Sequence, residues 1–248
     1  MKNYFINGVL FLALLLTACG RQYRLTEHNY YGYQVYKGLH ASETAEQLIT
    51  PYRDSLSSIM NEVIGISDTL LLKEQPEGTL GNFCADAYRE IAASYTAKPV
   101  DVCFMNNGGF RVPSLPKGNI TVGHIYELMP FDNNLVVIEI SGKDMIRICN
   151  RIAQRGGWPV SGLRMKISGY KASEISIGGL PVDSTGTYTI ATSDYLANGG
   201  DELELLKAYP QQKSTLLLRQ ALIDYIRMLT SNQKHITSIK DQRIINEP

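Results

Sequence analysis

The chain has 248 residues, with 24 Lys or Arg against 24 Asp or Glu, so its formal net charge is zero. A balanced chain offers no electrostatic field to gather nucleic acid, which excludes that class of partner. The four histidines, at positions 28, 40, 124 and 235, show neither HxH nor HExxH spacing, which removes the usual ligands of a hydrolytic metal site.

The first residues read MKNYFINGVLFLALLLTACGR: one early lysine, an apolar stretch from Val9 to Leu16, then small residues before Cys19. That layout predicts a secretory signal whose apolar core is too short to stay in a bilayer as a spanning helix. Leu16, Thr17, Ala18 and Cys19 resemble a bacterial lipobox, in which the cysteine becomes the lipidated first residue of the mature chain. The expected organisation is a signal peptide over 1–18, a lipidated tether over 19–41 and one domain over 42–248. The protein is then an exported bacterial lipoprotein held on a periplasmic or cell-surface face by its lipid. Cys84, Cys103 and Cys149 remain, two of them in apolar runs and one in a helical pattern. They read as small buried hydrophobes or as disulfide partners, and no spacing among them suits a metal.

From Ser42, ETAEQLITPYRDSLSSIMNEVI repeats apolar residues every three or four positions, predicting a helix that Pro51 kinks or breaks in register. GISDTLLLK predicts a strand, TLGNFCADAYREIAASY a helix with Leu80, Phe83, Ala87 and Ile91 on one face, and VDVCFM a buried strand. MNNGGFRVPSLPKGN predicts a loop, and ITVGHIYELMPF a short strand or turn running into a helix. LVVIEIS predicts a strand, GKDMIRICNRIA a helix, GLRMKIS, EISIGG and YTIATSDYL three strands, and LLLRQALIDYIRML a long amphipathic helix. Strands and helices interleave without a linker, so the expected fold is one mixed α/β (α+β) domain with a mixed sheet packed by helices.

Three stretches carry chemistry beyond what turns require. In MNNGGFR, adjacent glycines at 108 and 109 let a backbone pass close to a ligand, and Arg111 offers a fork of donors suited to carboxylate or phosphate. The bland alternative is an ordinary turn with a solvated arginine. MPFDNN exposes Phe131 between proline and amides. YLANGGD places Tyr195 before Asp201 across a second Asn-Gly-Gly turn, with Gly199 and Gly200. Each has a bland reading as a packed ring or tight turn, but together they supply the parts of a nucleotide site. Two rings can hold a flat base, at about 1 to 3 kcal/mol per stacked base. A carboxylate can accept both ribose hydroxyls, and an arginine can grip phosphate. Trp158 reads as a packed or loop-capping ring, and His124 as a capping or buried residue. Ser161 and Ser193 lack a histidine partner, which rejects a serine nucleophile.

These stretches resemble the C-terminal domain of the 5'-nucleotidase family, the group of periplasmic UDP-sugar hydrolases and surface ecto-5'-nucleotidases. EGTLGNFCADA, NNGGFR, LPKGNITVGHIYELMPFDNNLVVIEISGKDM, VSGLR and YTIATSDYLANGGD stand in the family's order across roughly residues 62 to 205. The resemblance implies a domain that binds the nucleotide. Asn106 and Arg111 match the N-x-G-G-I-R positions that contact nucleoside and phosphate. Phe131 and Asn133 match the P-F-x-N motif, Tyr195 stands where a second base-stacking phenylalanine usually stands, and Asp201 matches the ribose-binding aspartate of G-G-D.

Two departures qualify what is implied. Family members usually carry a phosphate-binding arginine shortly before the L-G-N motif, where this chain reads LLLKEQPEGTLGN with only Lys73 as a cation. The family's enzymes also have an N-terminal domain with two metal ions that activate water, and its D-x-H, G-N-H-[DE] and H-x-H motifs have no counterpart here. The resemblance therefore implies no catalytic residue, metal or other cofactor in this chain. It implies the nucleotide-binding half of a split 5'-nucleotidase or UDP-sugar hydrolase system in nucleotide catabolism, the divalent pair belonging to a separately encoded metallophosphatase partner. The alternatives are a stand-alone nucleotide- or nucleoside-binding lipoprotein and a degenerate interaction lipoprotein without catalysis.

Overall fold

The computed structural model describes residues 31–32, 38 and 42–247. The signal segment, Cys19 and almost all of the tether lie outside the described residues. The chain divides into Met1–Gln47, of which little is described, and Leu48–Pro248, which holds the fold. Helix α1, Glu43–Met60, is one continuous helix with Pro51 inside it; the missing N–H leaves out one bond to the turn before. None of its residues is buried, and Leu48, Tyr52, Leu56 and Ile59 are exposed.

A five-stranded mixed sheet forms the centre, in the order β12 (Gln211–Leu217), β6 (Asn134–Ser141), β11 (Thr187–Ser193), β3 (Val102–Phe104) and β7 (Val160–Ser161). Every neighbouring pair is antiparallel except β11 with β3. Side chains alternate across these strands, and both faces are covered. Cys103, Leu135, Val137 and Ala191 point into one core with helices α2 (Thr79–Thr96), α3 (Val122–Leu128) and α6 (Leu218–Ser231). Val102, Phe104, Val136, Ile138 and Ile190 point into the other. That second core is closed by helix α4 (Gly142–Gln154) and by a four-stranded sheet, β10 (Leu180–Pro181), β9 (Lys171–Ile177), β8 (Leu163–Ser168) and β13 (Ile244–Asn246). Burial on both faces explains why β6 reads as the near-continuous apolar run LVVIEI.

The fold is the expected mixed α/β class, with the strands of the described residues distributed over four sheets and not gathered in one. GISDTLLLK is two strands, β1 (Val63–Ser67) and β2 (Leu71–Leu72), pairing separately with β5 (Gly118–Thr121) and β4 (Ser114–Leu115). The break has a local cause: the Ser67 hydroxyl donates to the Thr69 carbonyl at 2.8 Å and folds the chain over at Asp68. YTIATSDYL also changes state, because Ser193 accepts from Leu196 N at 3.2 Å and caps a short helix, α5 (Asp194–Ala197). Strands β12 and β13 lacked a signal, β12 because QQKST is polar along its length.

Cys84, Cys103 and Cys149 are free and fully buried, which settles the alternatives in favour of buried thiols. Burial pushes all three thiols up, Cys149 to about 12, so none is a thiolate near neutral pH. His124 completes a capping box at the start of α3: its Nδ1 accepts from Thr121 N at 3.1 Å while Thr121 Oγ1 accepts from His124 N at 3.3 Å.

Candidate functional site

Strand order brings three loops to one edge of the central sheet. Because β3 and β11 run parallel, with Ile190 opposite Val102 and Ala191 opposite Cys103, their C-terminal ends open on the same side. Strand β6 is antiparallel to β11, with Leu135 opposite Ser193, so its beginning arrives there too. The loops after β3, before β6 and after β11 carry Asn106 with Arg111, Phe131 with Asn133, and Tyr195 with Asp201. All six line one cavity of about 520 Å³. Gly108 and Gly109 line it as well.

Each loop is held from behind. The first turns through a short 3₁₀ segment, Asn107–Gly109, and is pinned by Phe110, which is 1% exposed in the core, and by Arg111 N donating to Leu128 O at 2.9 Å. Phe110 is thus the anchor that turns Arg111 outward. The second is held by Arg219 of α6, which donates to Phe131 O at 3.2 Å and pairs with Asp132. Leu218 N donates to Asn133 O at 2.8 Å, so the loop also supplies a partner to an otherwise orphaned amide of the α6 first turn. The third is gripped by α4: Arg151 Nε donates to Asp201 O at 3.0 Å, and Arg151 and Arg155 both pair with Glu202.

The Asp201 carboxylate is the meeting point. Asn106 Nδ2 donates to its Oδ2 at 2.6 Å, and Tyr195 OH reaches its Oδ1 at 3.4 Å. Asp201 has φ 49° and ψ 35°, left-handed values that Asp and Asn tolerate better than most residues. Phe131 and Tyr195 are 40% and 46% exposed, so both rings keep faces open to a ligand. The Arg111 guanidinium lies 5.5 Å from the centroid of Phe131, a cation–π contact that places its charge beside the ring.

The glycines act differently from the simple expectation that they bare the backbone to a ligand. Gly199 and Gly200 do not line the cavity. Gly199 takes φ 89° in the turn, and a Cβ on Gly200 would lie 2.5 Å from the Tyr195 ring, so that glycine makes room for the ring. A Cβ on Gly108 or Gly109 would sit 3.3 Å from the Asn106 amide. The pair therefore lets Asn106 fold over its own turn toward Asp201.

The stretch EGTLGNFCADA stands apart from the cavity. Asn82 is buried and donates to Glu77 Oε1 at 2.7 Å and Ile239 O at 2.9 Å. Asp86 accepts both terminal nitrogens of Arg243 at 2.8 Å and the Ser161 hydroxyl at 2.6 Å. These residues tie α2 to the C-terminal strand. Lys73 donates to Phe110 O at 2.8 Å, and its ammonium is destabilised first by partial burial and then by the Arg111 charge. It stands beside Arg111 as a second cation at this edge.

A family model described as "5'-nucleotidase, C-terminal domain" matches residues 63–208. The chain belongs to that family. It is 31% identical over 176 residues to an apyrase of Tabanus yao, covering 59% of this chain and 32% of the apyrase. It is 28% identical over 206 residues to the protein UshA of Salmonella pullorum, covering 72% and 37%. Among solved structures, the 5'-nucleotidase precursor of Thermus thermophilus superposes with a TM-score of 0.72 at 27% identity, covering 83% of this chain and 44% of that one. The chain thus spans between about a third and less than half of these relatives.

In this 5'-nucleotidase C-terminal domain no group of three or more His, Cys, Asp or Glu is placed to hold a metal ion among the described residues. The residues described do not fit the divalent pair that the resemblance implies for the full enzymes. The cavity also has walls that motif reading did not single out as site residues: Gln75, Asn107, Arg155 and Trp158. Trp158 is a packed ring, 4% exposed, that also faces the cavity. A signal existed for three of these. RGGW is a third Gly-Gly turn of the kind that marked the other two loops, and Gln75 sits in the stretch where the family's arginine is missing.

Proposed function

We propose that this domain is the nucleotide-binding half of a split 5'-nucleotidase, completed by a separately encoded metallophosphatase that brings the divalent pair. The observation that carries the reading is the gathering of two open aromatic rings, a carboxylate and an arginine around one cavity of about 520 Å³, a size suited to a small ligand. In this reading Phe131 and Tyr195 hold the base, Asp201 with Asn106 takes the ribose hydroxyls, Asn133 faces the base, and Arg111 with Lys73 takes phosphate. The nearby Lys73 compensates in part for the arginine that the family carries before L-G-N, as a point charge in place of a planar fork.

Isothermal titration with AMP, adenosine and UDP-glucose, with EDTA present, tests the binding half of the proposal. Saturable binding without metal is expected, with AMP above adenosine because only AMP meets Arg111. Flat titrations at millimolar ligand would leave the nucleotide reading without support. Binding alone, with no phosphate released until a metallophosphatase is added, is the expected signature of the split arrangement.

We place the chain outside the cytoplasm, with residues 1–18 as signal, Cys19 as the lipidated residue, 19–41 as tether and the domain from 42 onward. Labelled palmitate is expected to enter the wild-type chain in a bacterial host and to be lost in Cys19→Ala. Equal label in both chains would remove the anchor from the proposal.

A further inference from the structure

Helix α1 carries an apolar stripe that the domain leaves open. Ile49, Tyr52, Leu56 and Ile59 follow one another at steps of three, four and three, and Val63, just past the helix end, adds a further step of four. With Leu48 alongside, these residues are between 48% and 69% exposed. Met60, in the last turn, packs against the core, while none of the residues of α1 is buried. The helix is thus anchored at its C-terminal end, and its stripe faces water.

Such a helix needs a cover. Eighteen residues with a proline in the interior make a marginal helix in water, because most helical stability comes from packing an apolar face against something else. A contiguous patch of large apolar side chains on a folded domain marks a surface that a partner covers.

Three features identify the cover as a second copy of the chain. The alternation of three and four is the a/d seam of a coiled coil, which interlocks with another helix of the same 3.5-residue period. The polar side of α1 carries Glu43, Glu46 and Asp54 against Arg53 alone and has no lysine, whereas helices that lie on lipid are rich in Lys and Arg. Covering the six apolar side chains on each of two copies removes roughly 1,000 Å² from water, which reaches the threshold of a specific interface. Pairing of like surfaces about a twofold axis is also the commonest form of assembly.

We infer that α1 is a self-association element: the seam of Ile49, Tyr52, Leu56 and Ile59 packs against the same seam of a second copy, and the protein is a dimer through this two-helix contact. No residue of α1 lines the cavity of about 520 Å³. The pairing therefore stands or falls separately from the nucleotide reading.

The test is photo-crosslinking of the full chain in a bacterial host that co-expresses two differently tagged copies. Benzoylphenylalanine replaces Tyr52, in the seam, or Asp54, which lies on the opposite side of the helix. Position 52 is expected to give an adduct of twice the chain's mass that carries both tags, and position 54 at least about tenfold less of it. Leu56→Glu places a charge in the seam without touching the core, and is expected to cut the position-52 adduct by about tenfold or more, with the chain still folded by circular dichroism. Leu56→Met, which keeps the seam apolar, is expected to retain the adduct. Crosslinking from position 52 to lipid or to a different protein in place of the second tag overturns the self-pairing. So does the absence of any adduct in the folded chain, or a two-tag adduct that Leu56→Glu leaves intact.

Discussion

Asp201→Ala is expected to weaken adenosine binding by about 10- to 100-fold, the cost of about 1.5–3 kcal/mol for a hydrogen bond to a charged group. The carboxylate is where the site converges, with Asn106 Nδ2 at 2.6 Å and the Tyr195 hydroxyl at 3.4 Å. Its removal takes away the acceptor proposed for the ribose and also releases Asn106. AMP and adenosine should lose affinity by similar factors, because in the proposed assignment the carboxylate addresses the sugar and Arg111 the phosphate. Part of the Asp201→Ala effect comes from the backbone, since φ 49° suits alanine poorly. Asp201→Asn separates the two contributions: asparagine keeps the left-handed turn and the shape but loses the charge. An intermediate loss in Asp201→Asn fits the ribose assignment. Unchanged affinity in Asp201→Ala would remove that assignment outright.

The second large effect is structural. Gly162, in the VSGLR turn between β7 and β8, has φ 76°, and a Cβ there would lie 2.0 Å from the carbonyl oxygen of Asp101. Gly162→Ala combines a left-handed backbone, about 1–2 kcal/mol for an L-residue, with overpacking against main chain, about 1–3 kcal/mol. A loss of roughly 3 kcal/mol lowers the melting temperature by about 6 to 12 °C in a domain of this size. Main chain cannot swing away as a flexible side chain can, and Asp101 is fixed on its far side by Asp101 N donating to Thr189 O at 2.9 Å and its carboxylate accepting from Thr189 N at 2.8 Å. Thermal denaturation of the variant checks this directly. A melt within about 2 °C of wild type would show that the turn relaxes in a way this geometry does not allow. The residue lies away from the cavity, so a folded Gly162→Ala should retain nucleoside affinity at low temperature.

The two changes separate the motifs that make the domain stand from those that build the cavity. VSGLR and LGNFCADA are structural: Gly162 permits a close approach, the buried Asn82 holds the Ile239 carbonyl, and Asp86 anchors Arg243. NNGGFR, PFDNN and NGGD deliver the cavity. All five look alike as sequence, a few small and polar residues between apolar runs. The difference lies in which edge of the sheet each one reaches.

The sequence by itself determined the mixed α/β class, most of the helices and the family, and it named six residues that line one cavity. Those features are local. Apolar periodicity marks helices and buried strands, and adjacent glycines with amides mark turns, whatever the rest of the chain does. The tertiary structure alone decided the rest. It paired the two halves of GISDTLLLK with different strands, β5 and β4, and it formed β12 from a polar run by pairing it with β6. It also turned Gln75 and Asn107 onto one carbonyl, from positions 82 and 50 residues distant in the chain. Such contacts depend on strand order and on the parallel pairing of β3 with β11, which are set by the whole core and leave no mark on any short stretch of residues.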